Sequence, residues 1–327
     1  MIAFWTAALT LTLMLYVILD GFDLGVGILF GTTRDEELKR QMLNSISPIW
    51  DGNETWLILT ASILFGAFPV VYSLILSAFY FPIIVLLAAL IFRGVAFEFR
   101  EKSRKRRWLW DAGFSIGSLV ATFVQGAAVG AIVDGIPNDA GRFTGTPLGW
   151  LTPFSAACGI GLVLGYCLLG AGWLVKKSEG ILRDRCYSLV PKLLIAVFGF
   201  LILAFAMSLL MELQVMSRWL DRPLLLIFPL IGLIGCILIV RGIRARYDWM
   251  PFAGGVVLFL AAFGTLAVSF LPYMIPFSIT IEQAAAPHSS LSFMFWGAGL
   301  FVLPLTLAYT VVVYWLFKGK SRAHDYH

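Results

Sequence analysis

The chain is 327 residues long, 60% hydrophobic, 15% aromatic and only 13% charged, with a mean hydropathy of +0.88. Soluble domains carry about 25% charged residues, so a water-clothed globule, a nucleic-acid binder and a disordered chain are all excluded. The net charge of +5 lies in short basic blocks between long apolar runs, which is the pattern of a polytopic membrane protein.

About 20 apolar residues cross a bilayer core, and hydropathy predicts nine spans. The first covers 4–30. No Lys or Arg precedes it, so the basic region of a cleaved signal is absent and a retained helix is expected. It carries Asp20 and Asp23, three apart and therefore on one face. Gly21/Gly25 and Gly27/Gly31 form small-xxx-small faces suited to close helix packing. The second span, 53–73, is entered through Trp50-Asp-Gly-Asn-Glu-Thr-Trp56. The third, 76–99, is separated from it only by Pro69 to Ser77 and carries Arg93 and Glu98. The basic run Arg100 to Arg107 follows, an orientation signal and interfacial anchor with anionic head groups as a second role. The remaining spans fall at 109–135, 151–175, 189–211, 223–242, 252–272 and 291–317. The polar connection Pro272 to Ser290 is expected to be an ordinary loop, with cover of an outer surface as the alternative.

Of the 24 Lys and Arg, 20 lie after odd-numbered spans or in the tail, and only Arg142, Arg218 and Arg222 lie after even-numbered ones. The N-terminus is therefore expected outside and the C-terminus in the cytoplasm. The expected architecture is a single all-helical membrane domain over 1–327. It comprises two four-helix bundles, 1–135 and 151–272, with 291–317 as a peripheral ninth helix.

With this topology, Asp20, Asp23, Asp51, Glu54, Arg93 and Glu98 fall at similar depth near the cytoplasmic side. Ionisable groups within spans are costly and mark function by default. Asp20, Asp23, Asp51 and Glu54 are candidates for a proton path, with Arg93 and Glu98 as a supporting ion network. The alternative is a purely structural network, in which Asp20 or Asp23 neutralises Arg93 and Asp51/Glu54 form a capping box. Only His288, His324 and His327 exist, none in a span. The chain alone offers no bis-His haem site, and it shows no metal cluster. The four cysteines are scattered and read as free, buried thiols.

Three motifs together, Asp20-Gly-Phe-Asp-Leu-Gly-Val-Gly27, Trp50-Asp-Gly-Asn-Glu-Thr-Trp56 and Phe92-Arg-Gly-Val-Ala-Phe-Glu-Phe-Arg100, resemble subunit II of the cytochrome bd quinol oxidases. The Glu54 and Phe97-Glu98-Phe99 variants are closer to the cyanide-insensitive branch. Leu151-Thr-Pro-Phe154 and Phe270-Leu-Pro-Tyr-Met-Ile-Pro276 extend the resemblance over nearly the whole chain. The resemblance implies a heterodimer in a bacterial inner membrane. Subunit I carries three haems and oxidises quinol, and no cofactor is bound by this chain alone. It implies that Asp23 and Asp51 match acidic positions associated with cytoplasmic proton delivery for reduction of O2 to water, which generates proton motive force. Asp20 matches an acid of the same motif. The resemblance also allows a structural quinone or lipid in this chain and a small accessory subunit beside the pair. Two rival readings are a proton-coupled secondary transporter, which requires broken helices at mid-membrane, and an inert assembly subunit.

Overall fold

The computed structural model describes residues 1–103, 105–211, 213 and 223–321. Arg104, Arg218, Arg222, Arg322, His324 and His327, named above, lie outside the described residues. Helix α1 (Ile2–Phe30) is followed by a short α2 (Glu36–Ile46), then α3 (Trp50–Ala67), α4 (Pro69–Ala78), α5 (Tyr80–Lys102) and α6 (Arg107–Asp134). The second half holds α7 (Pro153–Lys177), α8 (Gly180–Leu210), α9 (Ile227–Ala245) and α10 (Met250–Phe270). It ends with the one-turn α11 (Ile281–Ala284), then α12 (His288–Met294) and α13 (Leu300–Leu316), joined by a π-helical turn. Among the described residues, eight helices are long and apolar enough to cross a membrane, and α3 with α4 makes a ninth if the bent pair counts as one.

The second span departs from the sequence expectation. Pro69 disfavours helical backbone at the residue before it, and the chain breaks at Phe68 and turns by 120°. The crossing therefore ends at Ala67 rather than at residue 73. Helix α4 then lies across the end of the molecule, burying Val71, Leu74 and Ala78. Seventeen residues separate Ala67 from Trp50, about 26 Å of helix, so this break sits at a membrane surface. It is not the mid-membrane break that a transporter requires. The sixth span starts nine residues earlier than expected, because α8 already begins at Gly180.

The connections sort into two ends. At one end, Arg100 on α5 bonds Glu36 (2.8 Å) and Asp111 (2.5 Å), and Lys39 bonds Asp111 (2.5 Å). Arg107 also reaches Glu36, at 3.3 Å. Arg185 donates to the Thr32 carbonyl (3.0 Å). The Asp248 carboxylate gathers Arg183, Tyr187 and Lys320 at 2.7–2.8 Å. The connections after the first, third, fifth and seventh spans and the tail thus meet one another. At the opposite end, Ala286 N–H bonds the Ala67 carbonyl (2.8 Å), and Asn138 ties one hairpin (Asn138–Asp139 with Arg142–Phe143) to Ser278 of the other. That second hairpin pairs Tyr273–Ile275 with Ile279–Thr280. Its Ile275 and Ile279 are buried in a core with Trp5, Phe68 and Val71, so the 272–290 connection covers this end.

Arg100 and Arg107, read from the sequence as part of an orientation signal and interfacial anchor, are also held by carboxylates of α2 and α6. Helix α2 itself was not expected. Asp35 caps it by accepting from Glu37 and Leu38 N–H groups, and Leu38, Met42, Leu43 and Ile46 form its buried stripe.

Burial alone would raise the Asp248 carboxyl. Hydrogen bonds from Lys320, Arg183 and Tyr187 outweigh that and hold it below the ordinary carboxylate range. A depressed folded value means that its stabilisation is complete above that range and is lost as pH falls through the folded value. Asp248→Asn is therefore expected to lower stability at pH 7 by no more than about 1 kcal/mol, the range of ion pairs near a protein surface, and the melting temperature with it. The difference from wild type should close in acid. A pH series of thermal melts checks this, and a gap that widened in acid would contradict it.

Candidate functional site

The inner half of α1 is enclosed on all sides. Every residue from Asp20 to Gly27 is buried, with α3, α6 and α7 packed around it. Gly21 leaves room for the Tyr166 ring, since a Cβ there would stand 2.6 Å from it. Within this sheath the first turns of α3 and the middle of α5 meet α1 at one point. Arg93, 1% exposed, lies 3.6 Å from Asp20, which is fully buried, and 3.6 Å from Glu54, whose side chain is 25% exposed. The Trp50 ring lies 5.9 Å from the Arg93 guanidinium carbon, which adds a cation–π contact.

Asp23, also fully buried, occupies a second arm. Asn53 donates to it at 2.6 Å and to the Leu19 carbonyl at 3.3 Å, while Tyr314 on α13 donates to the Asn53 carbonyl oxygen at 2.9 Å. One helical turn before Asp20, Tyr16 accepts from Gln125 of α6 at 2.8 Å. The last helix, which is mostly exposed, thus reaches the site through the single side chain of Tyr314.

These groups are incompletely paired. Both oxygens of Asp20, Oδ1 of Asp23, the three guanidinium nitrogens of Arg93 and Nε1 of Trp56 have no hydrogen-bond partner among the described residues. Buried polar groups of this kind are ordinarily completed by ordered water with two to four polar neighbours. The arrangement can therefore hold a short water-bridged chain of carboxylates around one fixed cation.

The sequence reading needs two corrections. Glu98 is exposed and has no ion pair among the described residues, so it is not part of the Arg93 network. Five residues is about 140° around a helix, and this places Glu98 on the face of α5 opposite Arg93. The capping-box alternative also fails. Helix α3 has Ile49 at its N-cap with no side-chain cap, and Glu54 turns to Arg93 instead. Asp51 is exposed in the first turn of α3, one turn before Glu54 and outside the buried cluster. Asn53, Tyr314, Tyr16 and Gln125 were missed. Neutral polar residues in spans carry no charge signal, although Asn53 lies within a motif already noted. Among the described residues, no group of three His, Cys, Asp or Glu is placed to hold a metal ion.

Residues 1–317 match the family described as cytochrome bd terminal oxidase subunit II. The chain is 29% identical to cytochrome bd-I ubiquinol oxidase subunit 2 of Escherichia coli K12, covering 98% of this chain and 95% of that protein. It is 28% identical to cytochrome bd ubiquinol oxidase subunit 2 of Bacillus subtilis, covering 97% and 95%. The bd oxidase structure from Geobacillus thermodenitrificans shares the fold at a TM-score of 0.78 and 15% identity, covering 97% of this chain and 98% of that one.

Proposed function

Because the chain belongs to the cytochrome bd terminal oxidase subunit II family, we propose that it acts in a quinol:dioxygen oxidoreductase by carrying cytoplasmic protons inward through its buried carboxylates. It is a multi-pass protein of the bacterial inner membrane. Its obligate partner in this reading is the haem-bearing subunit I, where quinol and dioxygen react. Among the described residues the one histidine, His288, begins α12 at the end away from Asp20 and Arg93, so they offer no bis-His haem site. The proposal includes the orientation, with the end bearing Arg100, Arg183 and Lys320 in the cytoplasm. It also includes the division into bundles 1–135 and 151–272 with 291–317 as the ninth helix.

The observation that carries the reading is the row of unpaired buried polar atoms leading inward from an exposed acid. Asp51 takes a proton at the surface. Glu54, one turn further in and partly exposed, passes it across Arg93 to Asp20. Arg93 stays charged throughout and fixes both carboxylates, so it positions the relay without carrying a proton itself. From Asp20 the line continues to Tyr16 and Gln125 on α6. Asp23 shares the relay through the same cluster, its orientation set by Asn53 and Tyr314. A purely structural ion network is better served by close, fully bonded pairs. The 3.6 Å separations and unfilled valences favour a hydrated path instead.

The test is Glu54→Gln and Asp51→Asn in the assembled oxidase. Quinol-driven oxygen uptake should fall roughly 100-fold or more for Glu54→Gln, the range that loss of a proton-transfer group produces, and less for the solvated Asp51. The reduced-minus-oxidised haem spectrum should keep its amplitude. Unchanged turnover, or turnover lost only in proportion to haem, would reject the relay.

A further inference from the structure

Helices α8 and α9 diverge where α9 turns to pack along α10. Gly235 and Gly254 bring α9 and α10 so close that a Cβ on either would fall 2.5–2.7 Å from the other's carbonyl oxygen. The space left between α8 and α9 is a groove of about 600 Å³, lined by Leu194 and Phe198 on one side and Leu233 and Ile237 on the other. Arg241 and Arg244 line its cytoplasmic mouth. From Leu233 to Arg244 the groove runs eleven residues, about 16 Å, roughly half of the 30 Å hydrocarbon core. That is the depth of one leaflet's acyl chains.

Cations at the same end divide into those with a carboxylate partner and those without. Lys39, Arg100, Arg107, Arg183, Arg246 and Lys320 each have a carboxylate partner. Arg241 and Arg244 have none among the described residues, and they stand three apart on one helix face. Two unanswered guanidiniums above an apolar slot match a phosphodiester head group with its chains below, since guanidinium binds phosphate oxygens in bidentate fashion.

We propose that this groove binds an anionic phospholipid of the cytoplasmic leaflet, phosphate on Arg241 and Arg244 and an acyl chain against Phe198 and Ile237. The inference goes beyond the proton path and depends only on which end faces the cytoplasm. A neutral quinone head group leaves both cations unanswered. A transmembrane helix of a further subunit associates through small residues that allow close approach, whereas this lining is mainly Leu, Phe, Ile and Val, with Cys236 and Ala245 as its small members. Basic pockets between helices on the cytoplasmic side are established sites for anionic head groups.

The experiment is native mass spectrometry of the assembled oxidase, delipidated and titrated with phosphatidylglycerol or phosphatidylcholine. Wild type should retain one tightly held phosphatidylglycerol in preference to phosphatidylcholine. R241Q/R244Q should bind it roughly 30-fold more weakly, as loss of two interfacial cations implies, with phosphatidylcholine unaffected. Ile237→Trp fills the slot from an exposed position and should remove that lipid while leaving both arginines. Equal affinity for the two lipids in wild type, or unchanged phosphatidylglycerol binding in either variant, would overturn the proposal. So would a stoichiometric quinone or small polypeptide displaced by Ile237→Trp.

Discussion

Arg93→Leu is expected to prevent recovery of a stable oxidase, or to cut its stability by about 3–5 kcal/mol, the cost of removing one member of a buried ion pair. That is a large share of the roughly 5–15 kcal/mol by which folded proteins are stable. The reason is local. Among the described residues Arg93 is the one cation placed against Asp20, and both groups are essentially out of contact with solvent (1% and 0%). Without it, Asp20 must either remain charged in an apolar sheath or take up a proton permanently. The companion variant separates the effect of charge from that of shape. Asp20→Asn added to Arg93→Leu leaves no buried charge on this arm and should regain much of the lost melting temperature. Arg93→Lys keeps the charge but cannot span Asp20 and Glu54 with two nitrogens, and should fall between. Melting of the purified complex measures all three. An Arg93→Leu protein that melts like wild type would mean that Asp20 is already neutral and that the ion pair does not hold the bundle.

The same residues indicate what a sequence can tell about such a site. Asp20, Asp23 and Arg93 were legible because charge in an apolar run has few inexpensive explanations. Topology alone brought them to one depth, but depth does not fix azimuth. Glu98 shares the depth of Arg93 and points the other way, and helical periodicity could have excluded it. Asp51 is at the right depth and lies outside the buried cluster. Tyr314 illustrates the harder case. It comes from the last helix, 261 residues from its partner Asn53, and a tyrosine in an apolar run resembles any interfacial aromatic. The ninth span, mostly exposed, therefore gave no sign of the one side chain it sends to the site. Helix α2 and the break at Phe68 had local signals, an Asp35 cap before an amphipathic stripe and a proline after the break. Hydropathy averaging over some twenty residues suppresses both. Pairing within Arg100–Arg107 was illegible for a different reason, since its partners Glu36 and Asp111 lie on other helices and look like ordinary solvated acids.

The second large effect is expected at Gly25, where α1 crosses α7 backbone to backbone. A Cβ at Gly25 would stand 1.8 Å from the Tyr166 carbonyl oxygen, and one at Gly170 would stand 2.6 Å from the carbonyl carbon of Gly25. No side-chain rotation relieves a clash with backbone, so the helices must separate, and overpacking of this kind costs about 3 kcal/mol or more. Gly199 is the control. It sits inside α8 with nothing within 4 Å of a built Cβ, and alanine there should be neutral or stabilising by up to about 1 kcal/mol from helix propensity alone. Two identical substitutions should thus differ in sign. Equal melting temperatures for Gly25→Ala and Gly199→Ala would contradict backbone contact at the α1–α7 crossing. The consequence for function follows from distance along the helix. Gly25 lies five residues beyond Asp20, about 7.5 Å, on the segment that sets the 3.6 Å approach to Arg93. Moving α1 off α7 moves Asp20 with it. Gly25→Ala should therefore lower oxygen uptake even in the fraction of protein that assembles with full haem, because the relay is only as close as the two helices that carry it.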